Sequence, residues 1–217
     1  MSPGPARGVR FIHRALIAEA HHLERLTGDE RVDFETLSKA VNFLADVVKA
    51  HTHSEEEALF PGITTKMEFV IPAYLFDHRE EDALFEAMRA SLAKMSSGSE
   101  EEKAKARKTL HRDAIAVYEH IRLHATKEEE MLIPLVEKLN SHEEQAEQIK
   151  KMMSLFDDEL LKRVMPWMIE RLGKDDRVAY LTMLKGTVAP EAYRGFFETI
   201  KAGVSAGVAA SIAALAP

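Results

Sequence analysis

The sequence predicts an all-α fold: an up-and-down four-helix bundle followed by a C-terminal helical annex. Three observations lead there. Apolar residues recur at helical spacing almost throughout the 217 residues. No run alternates apolar and polar positions with β-branched enrichment, and no Asn-Gly hairpin turn occurs. Two eleven-residue stretches, His51 to Pro61 and His124 to Pro134, share six of eleven positions: the His, three Glu, the Leu and the closing Pro.

The first predicted helix covers about residues 8–26, with Phe11, Ile12, Ala15, Leu16, Leu23 and Leu26 on its buried side and Thr27-Gly28 at its end. The second starts near Asp33, an acceptable N-cap. It carries Leu37, Val41, Leu44, Val48, His51 and Glu55, and Pro61-Gly62 is expected to stop it. The third follows Pro72, with Tyr74, Leu75, His78, Leu84, Phe85 and Met88, and fades in the serine-rich stretch 96–99. The fourth runs from about Glu100 to Leu139 through Leu110, Ile115, Val117, Ile121, His124, Glu128, Leu132 and Leu135, with Pro134 as a point of kinking. Amphipathic helices in sequence with short connections pack up and down.

Ser141 begins the remainder as the N-cap of a capping box closed by Glu144. Short helices broken near Pro166, Gly173, Gly186 and Pro190 are expected beyond it. Residues 1–140 are thus read as the bundle with a di-metal site, and residues 141–217 as a helical extension packed on it within one folded unit. The methionines Met131, Met152, Met153, Met165, Met168 and Met183 read as core.

Composition narrows the chemistry. Hydrophobic residues make up 46% and charged residues 30%, enough for a packed core and a solvated surface. The net charge of -7, with both signs interspersed, argues against a nucleic-acid surface. No segment approaches a membrane span and the N-terminus shows no apolar signal stretch, so the expected location is cytoplasmic. The absence of Cys excludes disulfides, thiolate zinc, iron–sulfur clusters and Cys nucleophiles. Any metal must be held by His and carboxylate. No P-loop, dinucleotide turn or nucleophile elbow competes.

The repeated core is His-x-x-x-Glu, which places an imidazole and a carboxylate one above the other on a helix. The first and third helices echo each other with His13-Arg14 and His78-Arg79. The bundle therefore reads as a duplicated two-helix unit, His13 to Pro61 and His78 to Pro134. It contributes His13, His51, Glu55, His78, His124 and Glu128: four imidazoles and two carboxylates, the inventory of a dinuclear centre in a bundle core. Imidazole with carboxylate suits iron, manganese or zinc. Glu81 and His120 are additional candidates. Tyr74 reads as core or as a donor behind the ligands, and Asp77 as an orienting group or part of a cap. Glu56, Glu57, Glu129 and Glu130 read as a solvated charged side, with Glu56 and Glu129 the pair best placed to support a ligand. His21, His22, His53, His111 and His142 read as surface residues.

This spacing of His and His-x-x-x-Glu over four helices resembles the hemerythrin-like, or HHE cation-binding, domain over about residues 8–140. The segments Tyr74 to Glu86 and Ser141 to Gln145, with Met165-Pro166-Trp167, are similar to the hemerythrin-like domains of the plant BRUTUS-type iron regulators. The resemblance implies two iron ions joined by an oxo or hydroxo bridge, with His13, His51, His78 and His124 as terminal ligands and Glu55 and Glu128 bridging; manganese and zinc satisfy the same ligands. The oxygen-carrying hemerythrins have a fifth His one turn before the third-helix ligand, where this chain has Tyr74. Either His120 supplies that imidazole or the centre has four, and oxygen carriage does not follow from the resemblance. With no Cys, this chain has no ubiquitin-ligase RING module of its own. The function expected is di-iron binding with iron, oxygen or redox sensing, without turnover. The alternatives are a di-iron enzyme acting on peroxide, oxygen or nitric oxide, and iron buffering. Metal ions, and O2 at such a centre, are the expected partners; no protein partner is identified.

Overall fold

The computed structural model describes residues 4–217. A 3-10 turn, Pro5–Val9, leads into α1 (Arg10–Gly28). Helix α2 (Phe34–Ser54) follows, capped by Asp33, whose side chain accepts from the Thr36 backbone N–H. A π turn at Glu55–Leu59 joins α2 to α3 (Phe60–Thr64). Helix α4 (Pro72–Ser97) leads to α5 (Glu100–Lys127), which opens on a capping box between Ser99 and Glu102. A second π turn, Glu128–Leu132, joins α5 to α6 (Ile133–Leu139). The annex comprises α7 (His142–Ser154), α8 (Asp158–Arg171), α9 (Lys174–Thr187), α10 (Pro190–Gly203) and α11 (Ala206–Ile212). The capping box predicted at Ser141 and Glu144 is present. Among the described residues there is no strand, and no helix is long and apolar enough to cross a membrane.

Helices α1, α2, α4 and α5 enclose the bundle: α1 packs on α2 and α5, and α4 on the same two. One apolar core, built on Leu16, Leu44, Val48, Phe85, Leu110 and Ile121, fills one end. A second, built on Val9, Leu59, Phe60, Tyr74, Leu132 and Val136, fills the other. On each long helix the candidate donor stands between these cores. His13 lies between Val9 and Leu16, and His78 between Tyr74 and Phe85. Packed apolar layers on both sides hold the four rings in place and exclude water.

Helix α1 also serves the annex. Phe11 and Ala15 join Met165, Ile169, Leu181 and Phe197 in a third core. Trp167 of α8 donates its indole N–H to Glu19 of α1 at 2.7 Å, and Arg171 pairs with the same carboxylate. The Pro-Trp element therefore works as a clasp between annex and bundle.

Several expectations are corrected. Pro61 does not stop the second helix, because it stands in the first turn of α3, where its missing N–H breaks no bond. Pro134 occupies the same place in α6. Each proline follows a π turn in which an N–H reaches back five residues, Phe60 to the Glu55 carbonyl and Ile133 to that of Glu128. The extra residue shifts the buried face, so Ile133 and Val136 are buried while Leu135 is partly exposed. Ile115 faces solvent at 40% exposure. In the annex, Pro166 lies inside α8 and does not end it, whereas α9 ends at Thr187, next to Gly186, as expected. Gly203 of α10 lets that helix pack closely on the Pro166 ring, since a Cβ there would come within 2.6 Å of Pro166 Cβ. Of the methionines, Met131 is 60% exposed, and Met152, Met165 and Met168 are buried as expected.

Candidate metal centre

The six residues of the duplicated frame meet in the middle of the bundle. His13, His51, Glu55, His78, His124 and Glu128 are all buried, the two carboxylates completely. Their donor atoms fall into two groups, each spanning no more than 4.8 Å. One contains His13, His51, Glu55 and Glu128, and the other Glu55, His78, His124 and Glu128. Both carboxylates belong to both groups. Each group could hold a metal ion between its own pair of imidazoles and the two carboxylates common to both.

Separations follow the pseudo-symmetry. His51 Nε2 lies 3.5 Å from Glu55 Oε1, and His124 Nε2 lies 3.5 Å from Glu128 Oε1, the two i,i+4 pairs of the repeat. Each carboxylate also faces the other repeat: Glu55 Oε2 is 3.6 Å from His78 Nε2, and Glu128 Oε2 is 3.1 Å from His13 Nε2. The ring pairs match as well. His13 and His51 stand edge to face at 5.1 Å, and His78 and His124 at 5.0 Å.

None of these inward atoms is satisfied. The four Nε2 atoms and all four carboxylate oxygens are buried without a hydrogen-bond partner. Burying eight such atoms together costs several kcal/mol unless something binds them. Cations held between imidazole nitrogens and carboxylate oxygens resolve that cost, so the donor set fits bound first-row metal.

The outward nitrogens of three rings are held. Asp77 accepts from His124 Nδ1 at 3.0 Å, Glu56 from His78 Nδ1 at 2.7 Å, and Glu129 from His13 Nδ1 at 3.1 Å. A proton on Nδ1 leaves the Nε2 lone pair facing inward, the tautomer a metal requires. Glu56 and Glu129 stay partly exposed, yet each reaches across to the single His of the opposite repeat, in keeping with their place as the pair best suited to support a ligand. Asp77 also pairs with Lys127.

Electrostatics agree with a site awaiting positive charge. Burial opposes charge on His13, yet Glu128, Glu129 and Glu55 around it raise its pKa well above the ordinary value. His78 behaves likewise: against burial, Glu55 and Glu56 push it up to about 9. His51 is lowered to about 3 by burial, with Glu55 opposing. Glu55 is held well below the ordinary carboxyl range, since His51, His13 and His78 outweigh its burial. Burial and the charge of Glu55 push Glu128 up.

The two additional candidates fall outside both groups. His120 directs Nε2 to the Asp77 backbone carbonyl at 3.2 Å. Glu81 is buried beside the cluster, where burial raises its carboxyl to about 7 against the pull of His124 and His78. Tyr74 is core and stands edge-on to His124. His21, His53 and His142 are exposed, and His22 and His111 half-buried.

Comparison with known proteins agrees with this geometry. Residues 5–136 match the Hemerythrin HHE cation binding domain. Zinc finger protein BRUTUS of Arabidopsis thaliana is 26% identical over 186 residues, which cover 83% of this chain and 14% of that protein. Two BRUTUS-like zinc finger proteins of the same plant are each 26% identical, over 201 and 199 residues, 88% of this chain and 16% of each relative. The chain thus spans less than a fifth of the length of these relatives. No solved structure matches.

Proposed function

We propose, for a chain that belongs to the hemerythrin HHE cation-binding family, a dinuclear iron centre that reports iron, oxygen or redox state. In this reading His13 and His51 hold one iron, His78 and His124 the other, and Glu55 and Glu128 are shared. The observation that carries it is the convergence of eight buried, unpartnered donor atoms into two groups with both carboxylates in common. Bound iron would supply one-electron and oxygen chemistry. The chain's own residues position it: Asp77, Glu56 and Glu129 fix three imidazole orientations, and the two apolar cores keep water away.

Sensing follows from linkage. A cation bound only to the folded chain stabilises it. The four long helices each contribute to the cluster, so iron loss leaves buried groups without their shared partner at the point where the helices meet. The loosening would reach the annex through α1, whose Phe11, Ala15 and Glu19 hold it. Residues 141–217 are proposed as the reporting surface, within one folded unit with residues 1–140.

The test is iron content together with limited proteolysis of iron-loaded and iron-free protein. About two irons per chain and markedly faster cleavage without iron are expected. Iron-independent proteolysis would overturn the sensing role, and turnover of peroxide by the loaded protein would favour an enzyme instead.

A further inference from the structure

A cleft of about 760 Å3 separates the annex from the start of the bundle. Its walls come from the turn before α1, the first residues of α1, and helices α7, α8 and α9, and it reaches His51 and Ser54 of α2. Its volume lies within the roughly 300–1,000 Å3 of small-molecule sites. Five of the six methionines noted in the sequence line it, Met152, Met153, Met165, Met168 and Met183, together with Phe11. Methionine walls are flexible and polarisable, and they adapt to an apolar occupant of variable shape.

The charged groups of the cleft are one-sided. Arg7 and Arg10 line it and no Asp or Glu does, in a chain whose net charge is -7. Arg7 is committed to Glu137 through two hydrogen bonds of 2.9 Å. Among the described residues no carboxylate pairs with Arg10, whose guanidinium stands over the Phe11 ring with its Nε buried and unpartnered. A buried guanidinium donor with no acceptor calls for an anion. Apolar walls with few polar groups cannot satisfy a peptide backbone, whereas they suit an alkyl chain.

We propose that this cleft binds a long-chain fatty carboxylate, its headgroup on Arg10 and its alkyl chain against the methionine-lined wall. An occupant would lie against the annex core and the His51 flank of the bundle, and so would bear on both. The site does not depend on the identity of the metal.

The experiment is titration of the full chain with laurate below its micellar concentration, followed by calorimetry, with dodecanol and dodecyltrimethylammonium as neutral and cationic counterparts. Expected is saturable binding of one laurate per chain, with both counterparts weaker by about tenfold or more. Arg10→Gln is expected to weaken laurate by a similar factor while leaving dodecanol unchanged. Ala179→Trp on α9, or Ala146→Phe on α7 where the first does not fold, fills the cleft and is expected to abolish binding of all three. Absence of saturable laurate binding, equal binding of dodecanol, or laurate binding that tolerates Arg10→Gln would overturn the proposal. Metal content does not enter the readout, so failure here and failure of the iron reading are distinguishable.

Discussion

Glu56 accepts a hydrogen bond from Nδ1 of His78 at 2.7 Å, so a carboxylate of the first repeat orients an imidazole of the second. Glu129 returns the contact to His13 at 3.1 Å. The duplicated halves are cross-braced, each fixing a ring that the other carries. Glu56→Ala and Glu129→Ala remove no inward donor, yet each is expected to weaken metal binding by about 10–100-fold. Competition with a chelator of known affinity measures this, and unchanged affinity in both variants would show that the braces are incidental.

Glu81 is expected to contribute a pH-dependent share to the stability of the metal-free protein. Its carboxyl lies at about 7 in the folded chain, raised from 4.5 by burial. Between these values the folded state holds a proton that the unfolded chain releases. The stability Glu81 contributes is therefore present in full below the ordinary value of 4.5 and is lost as pH rises through about 7. His51, lowered to about 3, works in the opposite sense over the same window. The readout is therefore the difference in Tm between parent and Glu81→Gln, both metal-free, in which the parent is expected to lose ground as pH rises from 4.5 to about 7. An identical profile in the variant would assign the dependence to other groups.

Glu19 is 5% exposed and receives both the Trp167 indole N–H and Arg171. Glu19→Ala leaves both without an acceptor and is expected to cost about 2 kcal/mol. For a chain of this size that lowers Tm by about 4–8 °C, measured by calorimetry. Preferential proteolysis of the annex in this variant would locate the loss at the clasp.

Two annex glycines are expected to respond in opposite directions. A Cβ at Gly203 would come within 2.6 Å of Pro166, whereas at Gly186 nothing lies within 4 Å. Gly203→Ala is expected to destabilise by about 1–3 kcal/mol through overpacking. Gly186→Ala, in the last turn of α9, is expected to stabilise by less than the roughly 1 kcal/mol of a helix interior. Denaturant melts of the pair check both signs.

The donor frame was legible in the sequence because His-x-x-x-Glu at i,i+4 survives into α-helical geometry unchanged, twice. What followed each Glu was legible only in part. A ruler of 3.6 residues singles out Glu56 and Glu129 as supports of a ligand without showing which ring each would hold, and it carries Leu135 inward. The π turns after Glu55 and Glu128 shift that phase, and the partners of Glu56 and Glu129 lie on other helices. His120 was misleading for a related reason. It shares a helix face with His124, but α4 offers it the Asp77 carbonyl. Methionine composition likewise read as packing, because a core and a cleft wall use the same side chains until the helices are in place.

The most direct measurement is metal per chain after iron loading, in the parent protein and in His51→Ala, His124→Ala and the double variant. About two irons are expected in the parent, about one in each single variant, and none in the double variant, since each His belongs to one donor group only. Folding of every variant is checked by circular dichroism. A parent that binds no metal, or a double variant that still binds as much as the parent, would contradict the two-site account.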